Sequence, residues 1–287
     1  MKDYFYQPKI IGFPYEEGSF WRKGSKEGPE RVINQLLKMR EYSIMNGKIS
    51  KWKIKELISE TPYLSPYDRE SSMKVIEESI YKTLSSKRIP VSIGGDHSIT
   101  YPIIKAFSKY YGKKTFNIIQ IDAHSDTFAN VDDYKYHHGA TFRNIIEDEL
   151  VEPHGLYQFG IRGQVREDSL DFVHEYNIQL INMMDFIKGD LNINNFIQNK
   201  DAYYYVSIDI DAIDPAFAPG TGTPVPGGLT SREILRIINQ LQQLNIIGLD
   251  LVEVAPVYDS SDITTLLASN ILYECINGID FCRINSK

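Results

Sequence analysis

The chain has 287 residues, 42% of them apolar and 24% charged, which excludes a disordered polymer and suffices for a full core without disulfides or a structural metal. A formal net charge of −7 with no basic stripe argues against nucleic acid as a partner, and no apolar run approaches the ~18 residues of a membrane span. The two cysteines, Cys275 and Cys282, lack metal-type spacing and the opening Met1-Lys2-Asp3-Tyr4 has no apolar leader, so reduced thiols and a cytoplasmic location are expected, with neither nucleic acid nor membrane as partner.

From the N-terminus, apolar runs alternate with amphipathic stretches. A strand is expected at Lys9–Phe13, then a helix over Pro29–Met39, with Pro29 suited to a first helical turn. Trp52–Ile58 reads as a strand, although its alternation with lysines fits a helix equally. A helix over Met73–Ser85, a strand at Ile89–Ile93 and a helix over Thr100–Tyr110 follow. Strands are expected at Phe116–Ile121, Tyr157–Ile161, Ile178–Ile181, Tyr203–Ile208 and Ile247–Val252, with helices over Arg166–Tyr176, Ser231–Leu244 and Ile263–Ile276. Thr230 stands three residues before Glu233, the spacing of a capping box. Several strands are apolar throughout, as strands buried on both faces are. The alternation implies an α/β chain of one domain, residues 1–287, with a mostly parallel sheet covered by helices on both faces. The segment from Pro215 to Gly228 holds four prolines and four glycines in fourteen residues and cannot be a regular element. A loop of that length inside a compact domain is usually functional.

Polar groups gather where the strands run out. Ile89–Ile93 leads to Gly94-Gly95-Asp96-His97-Ser98, Phe116–Ile121 to Asp122-Ala123-His124-Ser125-Asp126, and Tyr203–Ile208 to Asp209-Ile210-Asp211. Glu253 follows Ile247–Val252. Ligands of open α/β sheets bind outside the carboxyl ends of the strands. In extended chain, residues two apart share a side, so Asp122, His124 and Asp126 fall together, as do Asp209 and Asp211. Singly, each has a structural reading: a turn glycine, a helix cap, a hydrogen-bonded core imidazole. Jointly they put four carboxylates and two imidazoles in one place, a clustering that marks sites. Two divalent cations would balance four aspartates, and an oxygen-rich Asp/His set suits Mn²⁺ better than a thiolate-seeking metal.

The sequences GGDHS, DAHSD and SIDIDAIDPAFAPGTGTPVPGG resemble the three metal motifs of the ureohydrolases, the family of arginases and agmatinases, and the resemblance runs from about Gly12 to Ala268. It implies a three-layer arginase-like fold with a sheet of about eight strands. It implies two Mn²⁺ per subunit, one held by His97, Asp122, Asp126 and Asp209, the other by Asp122, His124, Asp209 and Asp211. A hydroxide bridging the metals would attack the guanidinium carbon, with Asp126 accepting a hydrogen bond from it. Glu253 would bind the guanidinium and His138, of the pair His138-Gly139, would protonate the departing amine; His137 is the alternative. Asn130 joins Glu253 and His138 as an implied substrate contact, whereas Asp96 and Asp214 look structural.

DTFAN at Asp126–Asn130, HGATF at His138 and GIR at Gly160 resemble the agmatinase versions, implying conversion of the small cationic guanidine agmatine to putrescine and urea. Arginases carry an asparagine where this chain has Phe128, and acids after their Gly-x-Arg where it has Gly163-Gln164-Val165. Guanidinobutyrate or arginine is the alternative substrate; a metal-dependent phosphoesterase or a non-catalytic binding protein is more remote. Asp132 and Asp133 are candidates to meet a terminal ammonium, or else solvated loop acids. The resemblance also implies a homotrimer or homohexamer.

Overall fold

The computed structural model describes residues 6–130 and 134–284. Strands β1 (Pro8–Phe13), β4 (Ile89–Gly94), β5 (Asn117–Ile121), β6 (Leu156–Ile161), β7 (Gln179–Asn182), β8 (Tyr203–Asp209) and β9 (Asn245–Val252) form one sheet, and β2 (Tyr42–Ser43) with β3 (Lys48–Ile49) a small antiparallel hairpin. The large sheet is ordered β1-β4-β9-β8-β5-β6-β7 and every pairing in it is parallel.

Helices cover both faces because the strands alternate two apolar faces. Ile10, Ile119, Tyr204 and Ile246 join a core under α1 (Gly28–Leu36), α7 (Met183–Lys188), α8 (Ser231–Leu241) and α9 (Ile263–Gly278). Their neighbours Ile11, Ile118, Tyr205 and Ile247 point the opposite way, as period two requires. They pack under α3 (Arg69–Ser85), α4 (Thr100–Tyr111), α5 (Thr141–Glu147) and α6 (Glu167–Glu175). The capping box at the start of α8 forms: Thr230 N–H donates to Glu233 Oε2 at 2.7 Å and Glu233 N–H to Thr230 Oγ1 at 3.2 Å.

One expected strand is corrected. Trp52–Ile58 contains the short helix α2 (Ile54–Leu57), and Ile58 touches the sheet only through an isolated bridge to Ile10. Leu57 is buried and Ile54, three residues earlier, half-buried while Lys53, Lys55 and Glu56 are exposed, the signature of one helical turn. Among the described residues the sheet therefore has seven strands, not eight.

The strand order positions the site. The chain passes from β4 to β5, and β9 and β8 later fill the space between them. The carboxyl ends of four adjacent strands, β4, β9, β8 and β5, then deliver His97, Glu253, Asp209 and Asp122 to one rim.

Candidate metal centre and active site

Close approach at the rim demands glycine. Gly95 N–H donates to Phe13 O and Glu253 N–H to Gly95 O, and a Cβ on Gly95 would lie 1.9 Å from Tyr15 O. This seats His97 at the bottom of the site, fully buried. Its Nδ1 lies 3.1 Å from an oxygen of each of Asp122, Asp126 and Asp209. His124 Nδ1 lies 3.0 Å from Asp211 Oδ2 and 3.7 Å from Asp122 Oδ1. Two sets of donor atoms result, each within 4.8 Å: His97, Asp122 and Asp209, and Asp122, His124 and Asp211. Asp122 belongs to both. The loop after β5 turns sharply, with Asp126 at φ 51, which brings its carboxylate back to His97.

The donor chemistry fits a cation. His97 Nε2 lies 2.9 Å from Ser207 Oγ, and that hydroxyl donates to Asp250 Oδ1 at 2.6 Å. With its proton committed to Asp250, Ser207 accepts from Nε2–H, so a neutral His97 turns a bare Nδ1 lone pair toward three carboxylate oxygens. Only a proton or a metal ion relieves that arrangement. Left to themselves these groups perturb one another. Burial works against the imidazolium of His97, but its hydrogen bonds to Asp122, Asp126 and Asp209 raise its pKa well above the usual value. Burial, then the charges of Asp211 and Asp122, lifts Asp209 well above the carboxylate range. Burial opposes the Asp122 carboxylate too, yet hydrogen bonds with His124 and His97 hold it below that range. These side chains can hold metal.

Beside this cluster stands a second group. His138 Nδ1 lies 2.9 Å from Glu253 Oε1, which also accepts from His97 N–H at 2.9 Å. Glu253 sits at φ 64, a conformation costly for glutamate and typical of functional strain. Burial lowers the pKa of His138, but Glu253 outweighs it and raises it to about 9. His137 differs: it is buried between Phe20 and Tyr134, and neither ring nitrogen makes a well-formed hydrogen bond. Burial, then the charge of His138, lowers its pKa to about 4, so it is neutral. Asn130 is exposed and donates its amide to Asn144 Oδ1 at 3.2 Å. Asp132 and Asp133 lie outside the described residues.

Asp96 is fully buried and accepts from Gly18 N–H, Ser98 N–H and the Ser98 hydroxyl; burial, then the charge of Glu253, raises its pKa to about 7. Asp214 accepts from the N–H groups of Ala216, Gly227 and Gly228, closing the Pro215–Gly228 loop on itself. Arg162 makes five hydrogen bonds to carbonyls, two of them to Val225 in that loop and the others to Gly160, Asp211 and Ala212. Thr223 in the loop donates to Asp211 Oδ2 at 3.1 Å.

Sequence reasoning missed the loop after β1. Its Gly18 carbonyl accepts His138 N–H at 3.1 Å, and its Phe20 ring lies over His137, with centroids 4.8 Å apart. Sequence reasoning also missed Ser207, Asp250, Gln120 and Gln158, whose signal was legible: each is a polar residue flanked on both sides by apolar or aromatic neighbours inside a strand.

A model of the arginase family matches residues 6–277. Proclavaminate amidinohydrolase of Streptomyces clavuligerus is 34% identical over 272 residues, 93% of this chain and 86% of that protein. Its solved structure superposes with a TM-score of 0.86, covering 96% of this chain and 92% of that one at 32% identity. The mitochondrial agmatinase of Gallus gallus is 33% identical over 93% of this chain and 79% of its own length. The guanidinobutyrase of Pseudomonas aeruginosa is 32% identical over 93% and 84%.

Proposed function

The chain belongs to the arginase family and is a hydrolase of guanidino C–N bonds, and from that premise we propose that its substrate is agmatine, cleaved to putrescine and urea. The observation that carries this choice is the wall beside His138. The ring of Phe128 lies on Gly139, whose Cβ, if present, would come within 3.0 Å of it. Agmatine lacks the α-carboxylate of arginine, and the Phe128 ring has no donor for that carboxylate, so burying it unpaired against the ring would cost several kcal/mol. Agmatinases and other guanidine hydrolases resemble the chain about equally, so the substrate reading rests on residues rather than on overall similarity.

On this reading His97, Asp122, Asp126 and Asp209 hold one Mn²⁺, and Asp122, His124, Asp209 and Asp211 a second. The bound metals would lower the pKa of water enough to make hydroxide available near neutral pH. Glu253 receives the guanidinium through charge-assisted hydrogen bonds and aligns its carbon with the cluster. His138, protonated near neutrality beside Glu253, gives its proton to the departing amine nitrogen. Asp126, at the edge of the cluster, accepts a hydrogen bond from the attacking water and orients it.

Steady-state urea release from agmatine, L-arginine and 4-guanidinobutyrate, at equal Mn²⁺ loading, tests the proposal. Agmatine is expected to exceed arginine about a hundredfold in kcat/KM, the equivalent of about 3 kcal/mol. Arginine or guanidinobutyrate ranking first would overturn the agmatine reading.

A further inference from the structure

Below the rim, one residue from each of five adjacent strands forms a row. In register across β4, β9, β8, β5 and β6 stand Ser92, Asp250, Ser207, Gln120 and Gln158. All five are fully buried. A polar row through a sheet otherwise filled with apolar side chains is expensive to bury unless its hydrogen bonds are used. The Ser207–Asp250 half bears on His97. The other half is a relay of two amides that ends on Asp122.

Gln158 Nε2 donates to Gln120 Oε1 and to Ser125 O, both at 2.6 Å. Gln120 Nε2 donates to Asp122 Oδ2 at 2.7 Å and to His124 O at 3.0 Å. Both N–H donors of each amide meet oxygen acceptors, so neither amide can be turned around without facing oxygen to oxygen. The surplus falls on the acceptor side, where Gln158 Oε1 is left without a partner. The relay thus delivers donors to a place crowded with acceptors.

We propose that the buried Gln158–Gln120 relay is the positioning device of the metal centre, pinning Asp122, the carboxylate common to both donor sets, in its ligating orientation. The inference rests on the reading that the cluster holds metal. Asp122 Oδ1 is already held by His124 N–H at 2.7 Å. Oδ2 faces His97 Nδ1 at 3.1 Å, and Gln120 fixes it there. A carboxylate has a broad, two-fold torsion about its last bond, so one anchored oxygen leaves the group free to swing and two do not. The same Gln120 amide ties down the His124 carbonyl and Gln158 the Ser125 carbonyl, so the relay also shapes the turn that carries His124 and Asp126.

The test is the Mn²⁺ binding isotherm of the metal-stripped full chain, measured by calorimetry, beside the melting temperature of the metal-free protein. Gln120→Met keeps the side-chain length and removes both donors; it is expected to bind Mn²⁺ about 10–100-fold more weakly. Gln158→Met touches no proposed ligand and is expected to lose affinity in the same direction by a smaller factor. The double variant should lose less affinity than the product of the two single losses, because Gln158 reaches Asp122 through Gln120. A merely structural role would lower metal-free melting and leave affinity unchanged or the losses multiplicative, and either result overturns the inference. If Gln120→Met does not fold, Gln158→Met decides: wild-type affinity there overturns the relay. A wild-type chain that takes up no Mn²⁺ would remove the metal reading itself, whereas binding by the wild type with no loss in the variants removes only the relay.

Discussion

Glu253 Oε1 lies within hydrogen-bond distance of both the His97 backbone N–H and the His138 ring, so a single oxygen ties His97 to His138. The strained φ of Glu253 is what turns the carboxylate off the end of β9 toward both groups. His138 keeps its proton near neutrality because the adjacent carboxylate stabilises imidazolium more than burial destabilises it. The sign follows directly: remove that negative charge and the proton leaves at lower pH. In the metal-stripped protein the His138 imidazole, followed by NMR, is expected to titrate near pH 9, and in Glu253→Gln at least one unit lower. An unchanged midpoint would show that Glu253 does not set the charge of His138. His137, adjacent in sequence but unpaired and held neutral by burial, is expected to show no such dependence on Glu253.

Among the elements, the loop from Pro215 to Gly228 has no ladder of its own; Asp214 closes its two ends and Arg162 holds it from outside. The Arg162 fork satisfies carbonyls at Asp211, Ala212 and Val225 together, a task suited to a planar guanidinium with five donors. Arg162 comes two residues after Gly160 at the end of β6, so strand and loop are locked together beside the Asp211 backbone. Arg162→Met should cost about 2–4 kcal/mol in urea denaturation, since several carbonyls lose their partner at once. Arg162→Lys should recover only part of that, because a point ammonium cannot span the same set. A denaturation midpoint unmoved by Arg162→Met would show that the loop holds itself. The role of Arg162 was not visible in the chain order: GIR reads as a motif fragment, and its acceptors lie about fifty residues away or more, apart from Gly160.

For the whole molecule, parallel strands place their carboxylates at one end, and folding concentrates acid there against its own repulsion. A divalent cation that binds this arrangement and not the unfolded chain stabilises the fold by mass action, about 2.7 kcal/mol at a hundred times its dissociation constant. Saturating Mn²⁺ is therefore expected to raise the melting temperature by roughly 5–10 °C for a chain of this size, reversibly on chelation. A melting temperature indifferent to Mn²⁺ would contradict metal binding by the folded cluster.

The amino-acid sequence by itself determined the local facts. Apolar strand cores, the capping box at Thr230 and the acid and imidazole groups at strand ends are set by neighbours in the chain, because strand and helix periods are local. The pairing of strands is not local, and only the tertiary structure decided it. Nothing near Asn245 records that β9 inserts between β4 and β8, and the pattern of Trp52–Ile58 fitted strand and helix alike until packing chose one helical turn. Adjacent histidines look alike in sequence, and it took the distant Glu253 to separate His138 from His137. Ser92, Asp250, Ser207, Gln120 and Gln158 are scattered polar residues along the chain, and they become one row only when parallel register aligns them under the rim. Register depends on the packing of every strand at once, and for that reason the sequence shows these polar residues one by one but not their alignment beneath the site.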